Sequence, residues 1–571
     1  MTTVTITIDG REVKAQAGQT VMDAAEAAGF DIPKLCHHPA IKPIGACRMC
    51  LVEIEKQRTL QPACTFPVSE GLIIHTESPK AVEARKFVLN LLFSERNHFC
   101  MFCQMSNNCE LQDMAYRYKM DQWIYNRGYP KMPVDSTRKY FVMDHNRCIL
   151  CRRCVRVCGE QVGNHTLGLR QRGIDTMLTA DMDVPFGESS CISCGSCLQV
   201  CPTGALMDRT SANGGIEEQV VRVKTTCQFC SVGCGMELIV RDNHVIRVEG
   251  DWAAPVNKGL LCVKGRFEPL YEERKRATKP MVRKNGQLVE TTWDEALQKA
   301  AEAIKSADRG LRTLVSSQVT NEAAALVAKV FGTGDQVGAM LPVPQDLSAA
   351  EGDLTALEEA DLFVVVGADL TTDHPVAGYP VKRGVTNRGA RLVVIDEAEN
   401  GMSPLAYRTF KPSDVDKAIA LAQGASQPAV IYGQRAGRTL AALREKLAGK
   451  AQFVGLVNGT NARGLQAAGL AHGADLSNAR AVYALAADDK VGDGLTEAVK
   501  RAKVVIVQGA YKSSLMDKAD VFLPTSIWSE KAGTLTNTEG RTQKVVAAVN
   551  APAGVKSDEE VLAALAGKLG R

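Results

Sequence analysis

A multidomain chain is predicted, mixed α+β in its first half and α/β with parallel sheets in its second. Three observations predict it. The 571 residues exceed what one hydrophobic core usually spans. All 19 cysteines fall between Cys36 and Cys262. Beyond residue 268, short β-branched runs alternate with Ala-rich helical stretches, the pattern of strands joined by helical crossovers. A composition of 45% hydrophobic and 23% charged residues excludes a disordered or fibrous chain. The formal charge of +4 gives no ground for expecting a nucleic-acid partner. No apolar run approaches the roughly eighteen residues of a membrane span. The N-terminus has neither a basic start nor an apolar signal core. The expected setting is cytoplasmic, without a direct membrane span.

Residues 1–78 read as a small α/β unit. Val4, Ile6 and Ile8 alternate as in a half-buried strand, Asp9-Gly10 marks a hairpin, and the helix formers of 20–28 stop near Gly29. The next helix is predicted from Ser78-Pro79, with Ser as N-cap and Pro at the first helical position. Val82, Phe87, Val88, Leu91 and Leu92 are expected to face a core. A stretch rich in Tyr, Pro and Arg, 116–138, links this helix to Cys-rich blocks at 148–201 and 227–262. In the second half, strands are predicted at 313–316, 362–366, 391–395, 429–432, 453–457, 504–507 and 521–523, with a last helix at 559–569. Gly with Asp or Asn clusters at strand ends, as in Gly367-Ala368-Asp369 and Asn458-Gly459-Thr460-Asn461, where open α/β sheets place their ligand crevice.

An odd number of cysteines in a chain with no secretion signal does not suit a disulfide framework, whereas dense Cys-x-x-Cys spacing suits metal or cluster ligation. The first set is Cys36, Cys47, Cys50 and Cys64. Four thiolates suit a [2Fe–2S] cluster; zinc accepts the same donors, and spacing alone leaves both open. His37 and His38, directly after Cys36, are expected to be solvated or to sit behind the ligands. The second set, Cys100, Cys103 and Cys109, lacks a fourth thiolate. His98, two residues before Cys100 at a predicted helix end, is the candidate, although a lone His is more often structural. The third set is a double run, Cys148, Cys151, Cys154 and Cys158, then Cys191, Cys194, Cys197 and Cys201 before Pro202. In two-cluster ferredoxin runs the fourth Cys of each motif serves the other cluster. Cys148, Cys151 and Cys154 therefore go with Cys201, and Cys191, Cys194 and Cys197 with Cys158. The fourth set is Cys227, Cys230, Cys234 and Cys262, followed by Val263-Lys264-Gly265. These sets use every cysteine.

The first set resembles plant-type ferredoxins and, more closely, the [2Fe–2S] ferredoxin-like (β-grasp) start of the large iron–sulfur subunit of NADH dehydrogenase (complex I)-type complexes. The string NHFCMFCQMSNNCELQD, 97–113, is similar to the His-Cys₃ [4Fe–4S] motif of that family. Complex I usually keeps three residues between the His and the first Cys. The single residue here looks more like the small diaphorase subunit of NAD-linked bidirectional hydrogenases. Two clusters in 148–201 point the same way, and towards NAD-dependent formate dehydrogenase alpha subunits. The fourth set resembles the [4Fe–4S] domain of molybdopterin oxidoreductases, with Lys264 at the place of a Lys that lies between cluster and pterin. Strings at 316–324, 364–376, 458–464 and 519–543 resemble the molybdopterin-binding domain of formate dehydrogenases and its relic in complex I. Where catalytic relatives carry a Cys, selenocysteine or Ser metal ligand, 330–345 reads VFGTGDQVGAMLPVPQ, with neither Cys nor Ser. His374, in the Asp-His-Pro string, is expected to be structural.

The resemblance implies a [2Fe–2S] domain at 1–78, a His-Cys₃ segment at 79–120, a two-[4Fe–4S] ferredoxin domain at 138–210, a [4Fe–4S] domain at 220–275 and a truncated molybdopterin-oxidoreductase-like α/β domain at 276–571. It implies one [2Fe–2S] and four [4Fe–4S] clusters, no molybdopterin and no catalytic residue. No G-x-G-x-x-G follows a strand in a βαβ setting, so nicotinamide chemistry falls to a partner. The expected function is an electron-relay subunit of an NAD(H)-linked oxidoreductase complex. Its expected partners are a flavin- and NADH-binding iron–sulfur subunit and a second redox catalyst: a hydrogenase, a formate dehydrogenase or a quinone-reducing module. The competing readings are a molybdenum or tungsten oxidoreductase and a zinc-filled scaffold.

Overall fold

The computed structural model describes every residue except Met1, Arg127 and Asn213. It divides into two units, Met1–Val220 and Val221–Arg571.

The first unit opens with a hairpin of β1 (Thr3–Ile8) and β2 (Arg11–Gln16), in which Ile8 pairs with Arg11. Asp9 and Gly10 have φ of 46° and 81°. A two-residue hairpin turn of the primed type needs positive φ at both positions, which Asp-Gly tolerates. Helix α1 (Val21–Ala27) starts at a capping box: Thr20 Oγ1 accepts from the Asp23 amide and the Asp23 carboxylate accepts from the Thr20 amide. Strands β3 (Leu51–Ile54), β4 (Gln61–Pro62) and β5 (Ile73–His75) complete a sheet of order β2-β1-β5-β3-β4, with β1 and β5 parallel. Ile6, Ile8, Val21, Val52 and Ile74 fill its core, and Cys50 and Cys64 pack against them.

Helix α2 (Pro79–Glu95) is capped by Ser78, whose Oγ accepts from the Ala81 amide at 3.3 Å. Of the residues expected to face a core, Val82, Val88 and Leu92 pack half-buried against it, whereas Phe87 and Leu91 do not. Ala81, Arg85, Leu89, Phe93 and Ser94 point inward, while Phe87 and Leu91 are 52% and 45% exposed. The cause is Arg85. Its guanidinium is fully buried, donates to the Leu51 and Thr76 carbonyls at 2.7 Å each and pairs with Glu77 at 2.9 Å. A cation so satisfied fixes the helix rotation and turns the i, i+4 row through residue 85 towards the core. Phe87 packs edge-on against Tyr125 instead. Helix α3 (Glu110–Arg117) follows the second cysteine set. The Cys-rich remainder is built from very short elements: a three-stranded sheet with Phe141–Asp144 at its centre, a hairpin of Leu167–Arg170 with Met177–Ala180, and one-turn helices at Arg153–Arg156 and Ser196–Gln199.

The second unit begins with a three-stranded antiparallel sheet, Val221–Thr226, Gly235–Arg241 and His244–Gly250. Two larger sheets follow. Five strands, Arg408–Phe410, Arg391–Ile395, Leu362–Val366, Pro428–Tyr432 and Gln452–Gly455, form an all-parallel sheet in that order. The other sheet has seven strands. Val521–Pro524, Val504–Gly509, Ala481–Ala487, Leu311–Val315 and Val337–Ala339 run parallel, and the hairpin of Met281–Lys284 and Gln287–Glu290 adds antiparallel at one edge. Alternate residues of its strands feed two separate cores, Val315, Leu485 and Ile506 in one and Leu314, Ala484 and Val505 in the other. Helices therefore cover both faces, as a parallel sheet buried on two sides requires. No helix among the described residues is long and apolar enough to cross a membrane.

Candidate metal centres

In the first unit, Cys36, Cys47, Cys50 and Cys64 form two sulfur pairs. The Cys36 amide donates to Cys47 Sγ at 3.3 Å and the Cys47 amide returns the bond at 3.4 Å. Sharing a proton with Cys47 holds the Cys36 thiol down at about 5, while that bond pushes Cys47 up. Cys50 and Cys64 repeat the arrangement, Cys64 lowered and Cys50 raised by their mutual bond. Two irons with two thiolates each call for this donor set. His37 is only 5% exposed, so it is not solvated, and His38 Nδ1 accepts from the Ala40 amide at 3.2 Å.

The second set surrounds one cavity. His98, Cys100, Cys103 and Cys109 line it, together with Phe93, Leu111, Arg147 and Gly204. His98 Nε2 is buried without a hydrogen-bond partner. Burial, aided by the charges of Arg147 and Arg96, lowers its pKa to about 4, so the imidazole is neutral and keeps a lone pair to give. The Phe93 ring meets it edge-on at 5.5 Å. A Cβ at Gly204 would stand 2.8 Å from Cys103 Sγ, so only glycine fits beside that sulfur.

Cys148, Cys151, Cys154 and Cys201 line a second cavity, closed by Met143, Leu178 and Thr203. Burial raises Cys148 to about 11 and Cys151 to about 12, and the Cys201 charge adds to both. Cys158 lies instead with Cys194 and Cys191; burial first, then those charges, raise it to about 11. Cys197 feels Cys194 and Cys191 most after burial, and Cys154 as well, so the two groups adjoin. Each run folds alike. The Leu150 and Ser193 amides donate to Cys148 and Cys191 Sγ at 3.4 Å, with φ of 53° and 52° at those residues. Arg152 and Gly195, at matching offsets, have φ of 58° and 72°. Buried thiolates that repel one another need a compensating cation, which iron would supply.

Two arginines that sequence reasoning passed over bind these sets into one body. Arg153 is 2% exposed and grips Glu110 through both guanidinium nitrogens at 2.6 and 2.8 Å, tying α3 to the ferredoxin-like run. Arg156 donates to the Cys36 carbonyl and, at 3.4 Å, to that of Cys151. Among the described residues, no three of His, Cys, Asp or Glu converge on a point that could hold one metal ion.

In the second unit, Cys227, Cys230, Cys234 and Cys262 come together. The Cys227 amide donates to the Cys234 carbonyl at 2.8 Å, and a Cβ at Gly265 would lie 3.0 Å from Cys227 Sγ. Burial raises Cys230 to about 12, with the Cys262 charge next; Lys264 opposes both. The strings that resembled a pterin-binding domain hold this loop. Thr460 donates to the Gln228 carbonyl at 2.8 Å, Asn537 to Val232 at 3.2 Å and Gln543 to Gly233 at 2.7 Å. His374 is 1% exposed, and its Nε2 lies 3.0 Å from both Ser231 Oγ and the Val457 carbonyl. Burial lowers its pKa to about 4. It braces the loop as a neutral ring.

Known proteins resemble the chain in the same order. Family models match as a 2Fe-2S iron-sulfur cluster binding domain over 1–79, the NADH-ubiquinone oxidoreductase-G iron-sulfur binding region over 85–122, a 4Fe-4S dicluster domain over 147–205 and the molybdopterin oxidoreductase Fe4S4 domain over 220–271. The chain thus carries domains of both [2Fe–2S] and [4Fe–4S] type. An NADH-quinone oxidoreductase subunit of Rhizobium meliloti is 32% identical over 69% of this chain and 48% of its own length. NADH-quinone oxidoreductase subunit 3 of Thermus thermophilus is 28% identical over 99% of this chain and 83% of its own. The chain therefore spans about half of the first relative and most of the second. A crystal structure of NAD+-reducing [NiFe]-hydrogenase in the H2-reduced state is 35% identical over 37% of this chain and 88% of its own, with a TM-score of 0.35. The molybdopterin oxidoreductase model matches 276–568, more than half of the residues, and the chain belongs to that family.

Proposed function

We propose that the chain is the iron–sulfur relay subunit of an NAD(H)-linked oxidoreductase complex. It would pass single electrons between a flavin- and NADH-binding partner and a second redox catalyst. The observation that carries this is the packing of three cysteine sets in one unit, with His98 and three sulfurs around a single cavity. The similarity to the Thermus thermophilus protein along 99% of the chain supports it. In this reading Cys36, Cys47, Cys50 and Cys64 hold a [2Fe–2S] cluster. His98 with Cys100, Cys103 and Cys109, Cys148, Cys151 and Cys154 with Cys201, Cys191, Cys194 and Cys197 with Cys158, and Cys227, Cys230, Cys234 and Cys262 each hold a [4Fe–4S] cluster. The clusters, when bound, supply one-electron carriers over a wide range of potentials. The chain's own residues place them, exclude water and compensate their charge. Arg153 and Arg156 lock the first unit together, and Lys264 sets a positive charge beside Cys230 and Cys262.

The 276–568 match favours a second reading, a pterin-dependent enzyme. Against it stand the polar residues of the matching strings, which are engaged in holding the fourth-set loop. Affinity purification of the intact complex, with identification of its chains and reduction by NADH followed by EPR, tests the relay reading. A flavoprotein partner and cluster signals that grow with NADH are expected. A chain that purifies alone, oxidises a substrate directly and binds a pterin would overturn it.

A further inference from the structure

Arg147 stands directly before Cys148, yet its guanidinium reaches the neighbouring centre. One terminal nitrogen donates to Cys103 Sγ at 3.2 Å and to Gln104 Oε1 at 2.6 Å, and lies 3.8 Å from Met207 Sδ. Nε pairs with the Asp144 carboxylate at 3.2 Å, and the side chain is 16% exposed. Arg147 lines the cavity shared by His98, Cys100, Cys103 and Cys109. Its carbonyl accepts from Thr203 Oγ1 at 2.8 Å, and Thr203 lines both this cavity and that of Cys148, Cys151, Cys154 and Cys201.

A hydrogen bond from a cation to a thiolate sulfur stabilises negative charge on that sulfur. Reduction by one electron makes a cluster more negative, so the guanidinium stabilises the reduced form more than the oxidised one. Asp144 offsets part of the positive charge from the Nε side, while the donating nitrogen faces the sulfur. We propose that Arg147 is a positioning residue that raises the reduction potential of the centre held by His98, Cys100, Cys103 and Cys109, through its bond to Cys103. The proposal rests on the ligand reading above.

The test is a mediated redox titration of the full cluster-loaded chain, read by EPR, for wild type, Arg147→Met and Arg147→Lys. His98→Cys identifies the signal of this centre; if it moves no signal, the ligand reading has failed and not the role of Arg147. Arg147→Met removes charge and donor while keeping the stem, and should disfavour reduction about tenfold, a fall of roughly 59 mV for a one-electron couple. Other centres should shift less. Arg147→Lys keeps a charge but lacks the planar fork and should fall between. An unmoved midpoint in Arg147→Met at wild-type iron content overturns the proposal. So do equal shifts at all centres, or loss of the centre in both variants, which would make Arg147 structural only.

Discussion

Replacing Lys531 by Met should destabilise the second unit by about 3 kcal/mol or more. Lys531 is 4% exposed and its ammonium lies 2.5 Å from Asp488 and 3.8 Å from Asp558, carboxylates that are themselves 4% and 3% exposed. It also donates to the Gln318 carbonyl at 2.9 Å. Met keeps the stem and its packing but leaves two buried carboxylates without a cation. Removing one partner of a buried pair costs about 3–5 kcal/mol. The lower end applies here, because Asp488 keeps the Trp528 amide at 2.9 Å and Asp558 keeps Thr525 and Gln508 at 2.7 and 2.8 Å. The sign of the pH dependence follows from Asp558, whose pKa burial already raises. Loss of the cation raises it further, so the deficit is full once pH exceeds the folded value and shrinks as acid protonates the group. Urea unfolding followed by far-UV circular dichroism at neutral and mildly acidic pH measures both effects. Lys531→Met with Asp488→Asn should regain much of the loss, because the second change removes one stranded charge. A cost under about 0.5 kcal/mol, the usual scatter of surface changes, or two costs that simply add, would refute the reasoning.

Cys262→Ala should remove one [4Fe–4S] EPR signal and leave the others, since Cys262 alone of its set lies outside the 227–234 loop; retention of every signal sinks the assignment. His98→Cys replaces a neutral ligand with an anionic one and should lower one cluster's potential, whereas His98→Ala should weaken or lose that cluster. An unshifted midpoint in His98→Cys with wild-type iron content would remove His98 from the ligands. His374, neutral and buried with a pKa near 4 against an ordinary value of about 6.5, takes its proton only when unfolded across that window. Stability should therefore drop as pH falls from about 6.5 to about 4, and His374→Gln should flatten that slope in thermal melts. Parallel wild-type and variant curves would deny the role.

Local pattern made much of this molecule legible. The cap at Ser78, the Asp9-Gly10 turn and the strands Leu362–Val366 and Arg391–Ile395 follow from neighbours in sequence. The strand Ala481–Ala487 does not. Its run AVYALAA is rich in a helix former, and burial of all seven residues in mid-sheet erases the alternation that marks a strand. The outward turn of Phe87 and Leu91 was equally hidden, because a pattern of apolar residues cannot anticipate a buried arginine bonded to the Thr76 and Leu51 carbonyls, 9 and 34 residues back. Cysteine spacing groups loop sulfurs well, and the paired-run rule reached Cys201 beside Cys148 and Cys151. Arg147, Arg153 and Lys531 had no such signal. Their partners Cys103, Glu110 and Asp488 lie 44, 43 and 43 residues away, and charged residues read as surface until a fold is known.

The most direct test of the central claim is elemental: iron, acid-labile sulfide, zinc, molybdenum and tungsten quantified in the purified chain. One [2Fe–2S] and four [4Fe–4S] clusters predict about 18 irons with as much sulfide, and no stoichiometric molybdenum or tungsten. Molybdenum or tungsten near one per chain, or zinc in place of iron at the cysteine sets, would contradict the account.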